Sequence, residues 1–394
     1  MKRVSLWGVA AVWLVACGGE INEEPILGPP DSSPVISGSG SEGGSSGGIP
    51  EASTSRCDDG ACNGTATTGK SCQGTGGPGL SDCGSGRESC CTSLEVTGGT
   101  YYRTYNLDVL DAFGNPALPA DGGATGLADP ATVSSFRLDK YLVTVGRFRQ
   151  FVNAVFRPDG GSGWLPAPGS GKHLHLNGGK GLNATAGGYE PGWVATYDVN
   201  ILPTDSSLAC GQFATWTNPA AAQENLPINC VNWFEAFAFC VWDGGFLPSE
   251  AEWEYAAAGG SQQREFPWGS TDPGTTNQYA IFASGTHGAS IAPVGNATLG
   301  SGLWGQVDLA GELWEWNLDS WSDVAVTVNG FPTGGIAYVE PCVDCAVTTD
   351  VGASQVIRGG SFESDALEVI PPRRNVDDAP SGFDVVGFRC ARTP

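Results

Sequence analysis

The side chains of this 394-residue chain that could do chemistry are thirteen cysteines, three histidines and a few serines and carboxylates set in tight turns. Cys342-Val-Asp-Cys345 is a close thiol pair, a spacing that suits either redox chemistry or a short structural bridge. No thioredoxin-like strand–helix–strand pattern surrounds it, so the bridge is expected. Cys210 and Cys230 would close a loop of about 20 residues. His173-Leu-His175 places two imidazoles on alternate residues of a glycine-rich loop, where they could chelate a transition metal. No cysteine or clustered carboxylate completes that set, and His287 is the only other histidine. Ser/His/Asp catalysis has no nucleophile elbow to stand on.

Three helices are readable around these residues. The first follows Thr144 as N-cap, with Val145, Phe148, Phe151, Val152 and Val155 on one face. A second opens at Asn232 with Glu235 three residues on, a capping-box spacing. Its apolar face holds Trp233, Phe237, Cys240 and Val241. The third opens at Ser249 with Glu252 at the same offset, runs through Trp253 and Ala256, and stops at Gly259. Elsewhere Gly, Pro and Trp dominate and few strands are clear. Thirteen tryptophans and the disulfides are expected to supply the cohesion that so many loops lack.

The N-terminus is organised differently. Met1-Lys-Arg precedes an apolar run from Val4 to Ala16, too short to span a bilayer. Leu14-Val-Ala-Cys17 matches the pattern of a bacterial lipobox, with residues 1–16 as signal peptide and Cys17 as the lipidated new N-terminus. Residues 17–56 read as a flexible Gly/Ser/Pro tether. Residues 57–91 hold Cys57, Cys62, Cys72, Cys83, Cys90 and Cys91 and almost no large apolar side chain, so disulfides must hold this segment. Zinc is the rival reading, but the segment has no histidine. Three bridges among six cysteines allow about fifteen pairings, which stay open. The segment reads as a spacer or contact knob ahead of a large domain at 92–394.

The net charge is −23, and the mature chain would lose Lys2 and Arg3 as well. Such a chain repels nucleic acid and anionic headgroups, so no nucleic-acid partner is expected.

Six separated blocks carry a resemblance. They are Asn232-Trp-Phe-Glu-Ala, Leu247-Pro-Ser-Glu-Ala-Glu-Trp-Glu-Tyr, Phe266-Pro-Trp-Gly, Asp308-Leu-Ala-Gly-Glu-Leu-Trp-Glu-Trp, Val356-Ile-Arg-Gly-Gly-Ser-Phe and Gly387-Phe-Arg-Cys-Ala. In this order they resemble the formylglycine-generating enzyme (sulfatase-modifying factor) family over roughly residues 96–394. The resemblance implies an α+β fold, a loop-rich variant of the C-type lectin fold. It also implies a disulfide between Cys240 and Cys390. A calcium ion is implied at the Trp-rich turn, held by Glu315, Glu312 and the carbonyls of Gly311 and Leu313.

The family's active enzymes oxidise a sulfatase cysteine to formylglycine with copper(I) on two thiolates. In this chain the first thiolate position is Ser364 and the second falls near Val369, while Ser361 matches the serine beside the metal. Neither Ser nor Val holds copper(I), so copper is not expected. The supply of three histidines also speaks against the three-histidine iron site of the sulfoxide synthases that share the fold. The expected function is therefore a lipid-anchored, extracytoplasmic binding or scaffold module. Loops 157–228 and 317–356 would hold a peptide, a glycan or a surface protein through exposed Trp and Tyr. Gly18, in place of an acidic retention signal, favours an outer surface. The alternative is an oxidoreductase of the same type whose ligands have moved to Cys342 and Cys345.

Overall fold

In the computed structural model, residues 69–74, 76–105, 129–156, 163–184, 187–283, 290–321, 326–328, 331–333, 338, 341–348 and 354–394 are described. Cys17, Cys57, Cys62 and His287 lie outside them.

Among the described residues, three α-helices and fourteen short strands make an α+β fold. The helices are α1 (Val145–Val155), α2 (Trp233–Trp242) and α3 (Glu250–Ala257). The strands in chain order begin with β1 (Ser93–Val96), β2 (Gly99–Tyr102), β3 (Pro130–Val133), β4 (Phe136–Asp139), β5 (Asn183–Ala184) and β6 (Trp314–Ser320). There follow β7 (Val326–Val328), β8 (Phe331–Thr333), β9 (Cys342–Val343), β10 (Cys345–Ala346), β11 (Ser354–Arg358), β12 (Arg374–Asp378), β13 (Val386–Gly387) and β14 (Ala391–Arg392). The main sheet has the order β12-β11-β6-β13, with β13 parallel to β6 and the other pairs antiparallel. In a second sheet, β1-β4-β14, the C-terminal strand pairs with one edge of β4 and β1 with the other. Residues 317–320, expected as loop, are the end of β6. They stay in the sheet because all seven residues of that strand are buried.

Each helix starts where a side chain satisfies its free N–H groups. Thr144 accepts the N–H of Arg147, and Asn232 and Ser249 each complete a reciprocal capping box with Glu235 and Glu252. Gly259 follows α3 with φ +66°, a left-handed conformation that suits glycine. α2 has no polar face: every residue except Val241 is buried. It lies in the centre of the main core with Phe148 and Phe151 of α1 and Trp314, Trp316 and Leu318 of β6. Two indole N–H groups there find carbonyl partners. Trp233 Nε1 donates to the Asn317 carbonyl at 2.7 Å, and Trp316 Nε1 to that of Val231 at 3.0 Å. Tryptophan therefore builds the interior. Trp193, Trp233, Trp253 and Trp316 are all fully buried, and in 163–228 the exposed large aromatic side chain is Tyr189.

The arginines are also inside. Arg147 donates to Asp139 Oδ2 at 3.0 Å and Asp243 Oδ2 at 2.7 Å, and Arg392 binds the same two carboxylates. This network extends into the cysteine-rich segment. Arg147 Nε donates to Ser71 Oγ at 3.0 Å and its Nη1 to the Cys90 carbonyl at 3.1 Å, while Ser71 N–H donates to Asp243 Oδ1 at 2.6 Å. The described part of that segment is thus tied to the domain by buried charge.

All ten described cysteines are paired. The bonds are Cys72–Cys91, Cys83–Cys90, Cys210–Cys230, Cys240–Cys390 and Cys342–Cys345. The fourth ties the end of α2 to the residue before β14.

Candidate functional site

β11 runs into the turn Arg358-Gly-Gly-Ser361. Arg358 is fully buried and anchors the strand end. Its Nη2 donates to Glu250 Oε1 at 2.6 Å and to Glu254 Oε2 at 2.8 Å, both on α3. Burial pushes the Glu254 carboxyl up to about 8, against the pull of Arg358. Burial also acts on Glu250, but Arg374 and Arg358 outweigh it and hold that carboxyl below its ordinary range. Gly360 has φ +74°, and a Cβ there would stand 2.8 Å from Cγ1 of Val369, so the turn and the segment at Val369 pass too closely for any side chain.

Beyond the glycines the chain closes on itself. Ser361 N–H donates to Ser364 Oγ at 3.0 Å, and Ser364 N–H donates to the Ser361 carbonyl at 3.0 Å. Ser361 Oγ accepts from Glu363 N–H at 3.2 Å, and the Ser364 carbonyl accepts from Ala283 N–H at 2.9 Å. Both side chains are buried, and neither hydroxyl meets a histidine. Val369 is fully buried against Phe266, Ala280, Phe282, Ala310 and Ile370. The place where two thiolates would converge therefore holds a capping hydroxyl and a packed isopropyl group. This set does not fit copper(I), which needs soft ligands.

Cys342 and Cys345, the thiols that could have replaced them, are bonded to each other. They are buried among Tyr101, Ala131 and Trp253, whereas Val369 packs in a separate apolar cluster.

The Trp-rich turn, where calcium is expected, is built around a buried ion pair. Glu315 gives both carboxylate oxygens to Arg389, at 2.7 Å from Nε and 2.8 Å from Nη2. Arg389 spends its remaining donors on the carbonyls of Asp139, Lys140, Val307 and Asp308. Glu312 accepts the Ala292 N–H through Oε1 at 2.8 Å and leaves Oε2 buried without a partner. Burial, with Asp308 adding to it, pushes the Glu312 carboxyl well above its ordinary range. Calcium takes about six to eight oxygen ligands. Among the described residues no group of three His, Cys, Asp or Glu is placed to hold an ion. At Gly311, Glu312, Leu313 and Glu315, one carboxylate is thus shared with a guanidinium and the other keeps a buried oxygen without a hydrogen-bond partner.

His173 and His175 do not converge on a metal either. His173 is fully buried between two carboxylates. Its Nδ1 lies 3.0 Å from both oxygens of Glu190, and its Nε2 lies 3.0 Å from Glu252 Oε2. Burial alone would lower its pKa, but Glu252 and Glu190 outweigh that and push it up to about 10. His173 is therefore an imidazolium held in a buried ion pair. His175 stacks on Phe246 at 5.8 Å, and burial lowers its pKa. Glu190, Arg389 and Arg147 carry much of the interior electrostatics and were not singled out in the sequence. Their charged partners lie 8 to 96 residues away in the chain, on other elements, so no local spacing marks them.

The sulfatase-modifying factor enzyme 1-like domain matches residues 84–394. The chain belongs to this family. A formylglycine-generating enzyme of Thermomonospora curvata is 30% identical over 299 residues, 71% of this chain and 88% of that protein. A mouse protein described as inactive C-alpha-formylglycine-generating enzyme 2 is 32% identical, over 45% of this chain and 54% of its own. Hercynine oxygenase of Mycobacterium tuberculosis is 33% identical over 38% of this chain and 33% of its own. Among solved structures, PvdO of Pseudomonas aeruginosa aligns at 20% identity and TM-score 0.42, covering 77% of this chain and 94% of that one. The sulfatase-modifying-factor blocks of this chain lie where structure needs them. The capping boxes start α2 and α3, the Trp-rich block leads into β6, and the Arg-Gly-Gly-Ser block ends β11.

Proposed function

We propose that this sulfatase-modifying-factor-type protein is a lipid-anchored, extracytoplasmic binding module without the copper oxidase chemistry of its enzymatic relatives. The packing of Val369 carries the reading. A side chain that only faced solvent could change without consequence, but this one fills the apolar cluster beneath the turn and is fully buried. Ser364 supports it, since its hydroxyl is committed to the Ser361 backbone. The displaced-ligand alternative needs Cys342 and Cys345 as free thiolates, and they are paired. A relative described as inactive exists at comparable identity.

The membrane part of the proposal rests on the Leu14-Val-Ala-Cys17 segment. It is tested by Cys17→Ala in a bacterial host. The native chain should enter the detergent phase and the variant the aqueous phase. Equal partitioning of the two would remove the lipid anchor from the account.

A further inference from the structure

We infer that the cavity where residues 82–85 meet Asn225 and residues 293–298 holds one neutral sugar ring, a hexose or N-acetylhexosamine at the end of a glycan. The inference rests on the binding-module reading and gives it a place and a ligand chemistry.

Three segments distant in sequence form the walls, and each is tied to the next. Asn225 Nδ2 donates to Asp82 Oδ2 at 2.9 Å, and Gly79 N–H donates to Asp82 Oδ1 at 2.9 Å. Val294 N–H donates to the Asn225 carbonyl at 3.1 Å, and Gly84 N–H to the Val294 carbonyl at 3.3 Å. The Cys83–Cys90 bond holds the first segment, and Gly295 N–H, donating to Asp308 Oδ2 at 2.6 Å, holds the last. Two left-handed glycines let these segments meet. Gly84 has φ +63° and Gly295 φ +74°, and a Cβ on Gly295 would stand 3.0 Å from the Gly84 Cα. Walls fixed in this way need little ordering when a ligand binds.

The space they leave is about 180 Å³. A water needs roughly 10–15 Å³ of such volume, so the cavity takes about a dozen heavy atoms, the size of one hexose. Its lining is polar, with mixed hydrogen-bonding roles. Asp82 accepts, Ser85 and Thr298 both donate and accept, and the amides of Asn225 and Asn296 do each through a different atom. Asn225 Oδ1 is an acceptor that the fold itself leaves without a partner. Sugar hydroxyls donate and accept at once, so they match such a set. Exposed Pro293 offers an apolar strip for the C–H face of the ring.

Charge does not select another ligand. The lining contains no Lys, Arg or His for an anion. Its one carboxylate, Asp82, already accepts two hydrogen bonds, whereas calcium takes about six to eight oxygens. The charged neighbours are mixed. Arg87 is exposed, Glu88 pairs with Lys140, Glu224 pairs with Arg149, and Asp308 is buried with Arg389 beside it. A peptide docks in a longer groove or along a strand edge.

The test uses the full chain in a sugar-free detergent with the methyl glycosides of glucose, galactose, mannose and N-acetylglucosamine, followed by ligand-observed NMR. At least one glycoside should show saturation transfer from the native chain. Thr298→Trp, which adds an indole to the lining from an exposed position, should remove the transfer. Ser85→Ala with Asn296→Ala should weaken binding at least tenfold. Both variants should keep the native melting temperature. An immobilised oligosaccharide ending in the same sugar should retain the native chain but not Thr298→Trp. No transfer to any of the four glycosides, or equal transfer from Thr298→Trp, overturns the inference. Binding of a free glycoside without retention on the oligosaccharide would assign the cavity to a free solute and overturn the glycan part. Stabilisation by calcium that Asp82→Asn abolishes, with no sugar bound, would assign the cavity to a cation instead. None of these outcomes bears on copper, so failure here leaves the oxidase-free reading standing.

Discussion

The hydroxyl of Ser364 accepts the backbone N–H of Ser361 at 3.0 Å, at the position where the family's enzymes carry a copper-binding cysteine. A residue that would bind metal has become a residue that caps a turn. This is a change of role and not only a loss. The hydroxyl now satisfies a buried donor that would otherwise have no partner.

Ser364→Ala should therefore cost stability. It leaves the Ser361 N–H buried and unpaired, a penalty of about 1–3 kcal/mol. Chemical denaturation should show a lower midpoint with an unchanged slope. A variant as stable as the native chain would mean that the contact has no structural weight.

Arg147→Ala should be more severe. It leaves Asp139 and Asp243 sharing only Arg392 and releases the contacts to Ser71 and Cys90. Breaking a buried pair by removing one partner costs roughly 3–5 kcal/mol. Residues 69–91 should then become sensitive to limited proteolysis. Retained protection of that segment would show that its other contacts, such as Tyr141 with Glu88 and Asn225 with Asp82, hold it without Arg147.

Glu235 makes stability depend on pH. Burial pushes its carboxyl up to about 8 from an ordinary 4.5, and Oε1 has no partner. A group with a raised folded-state value favours folding fully below 4.5, and that contribution is lost as pH rises through 8. Glu235→Gln cannot ionise and keeps an acceptor for the Asn232 N–H. Its melting temperature relative to the native chain should climb between pH 5 and pH 9. A constant offset across that range would place the Glu235 carboxyl in an ordinary environment.

Much of the fold was legible because its signals are local. Thr144, Asn232 and Ser249 each sit one residue before a helix, and their capping partners are three residues on. The family blocks also imply a partner for Cys240, and the structure joins it to Cys390. What stayed illegible depends on pairs distant in sequence. Glu315 looks the same whether it faces an ion or a guanidinium, and Arg389, 74 residues later, decides which. His173 looks like half of a chelate until Glu190 and Glu252 are seen on either side of its ring. The tryptophans suggested exposed binding surfaces by their loop positions. Their size drew most of the described ones inward, and the large apolar side chains that remain exposed among the described residues are mainly leucines.

The most direct test of the central claim is anaerobic copper(I) titration of the purified full chain against a competing chelator, together with its Cys342→Ala variant. Ser364 and Val369 offer no sulfur, and every described cysteine is bonded to another. The native chain should show no stoichiometric copper(I) site and should leave a cysteine-containing sulfatase peptide unconverted. One equivalent of tightly bound copper(I) in the native chain, lost in Cys342→Ala, would contradict this account and return the protein to the oxidases.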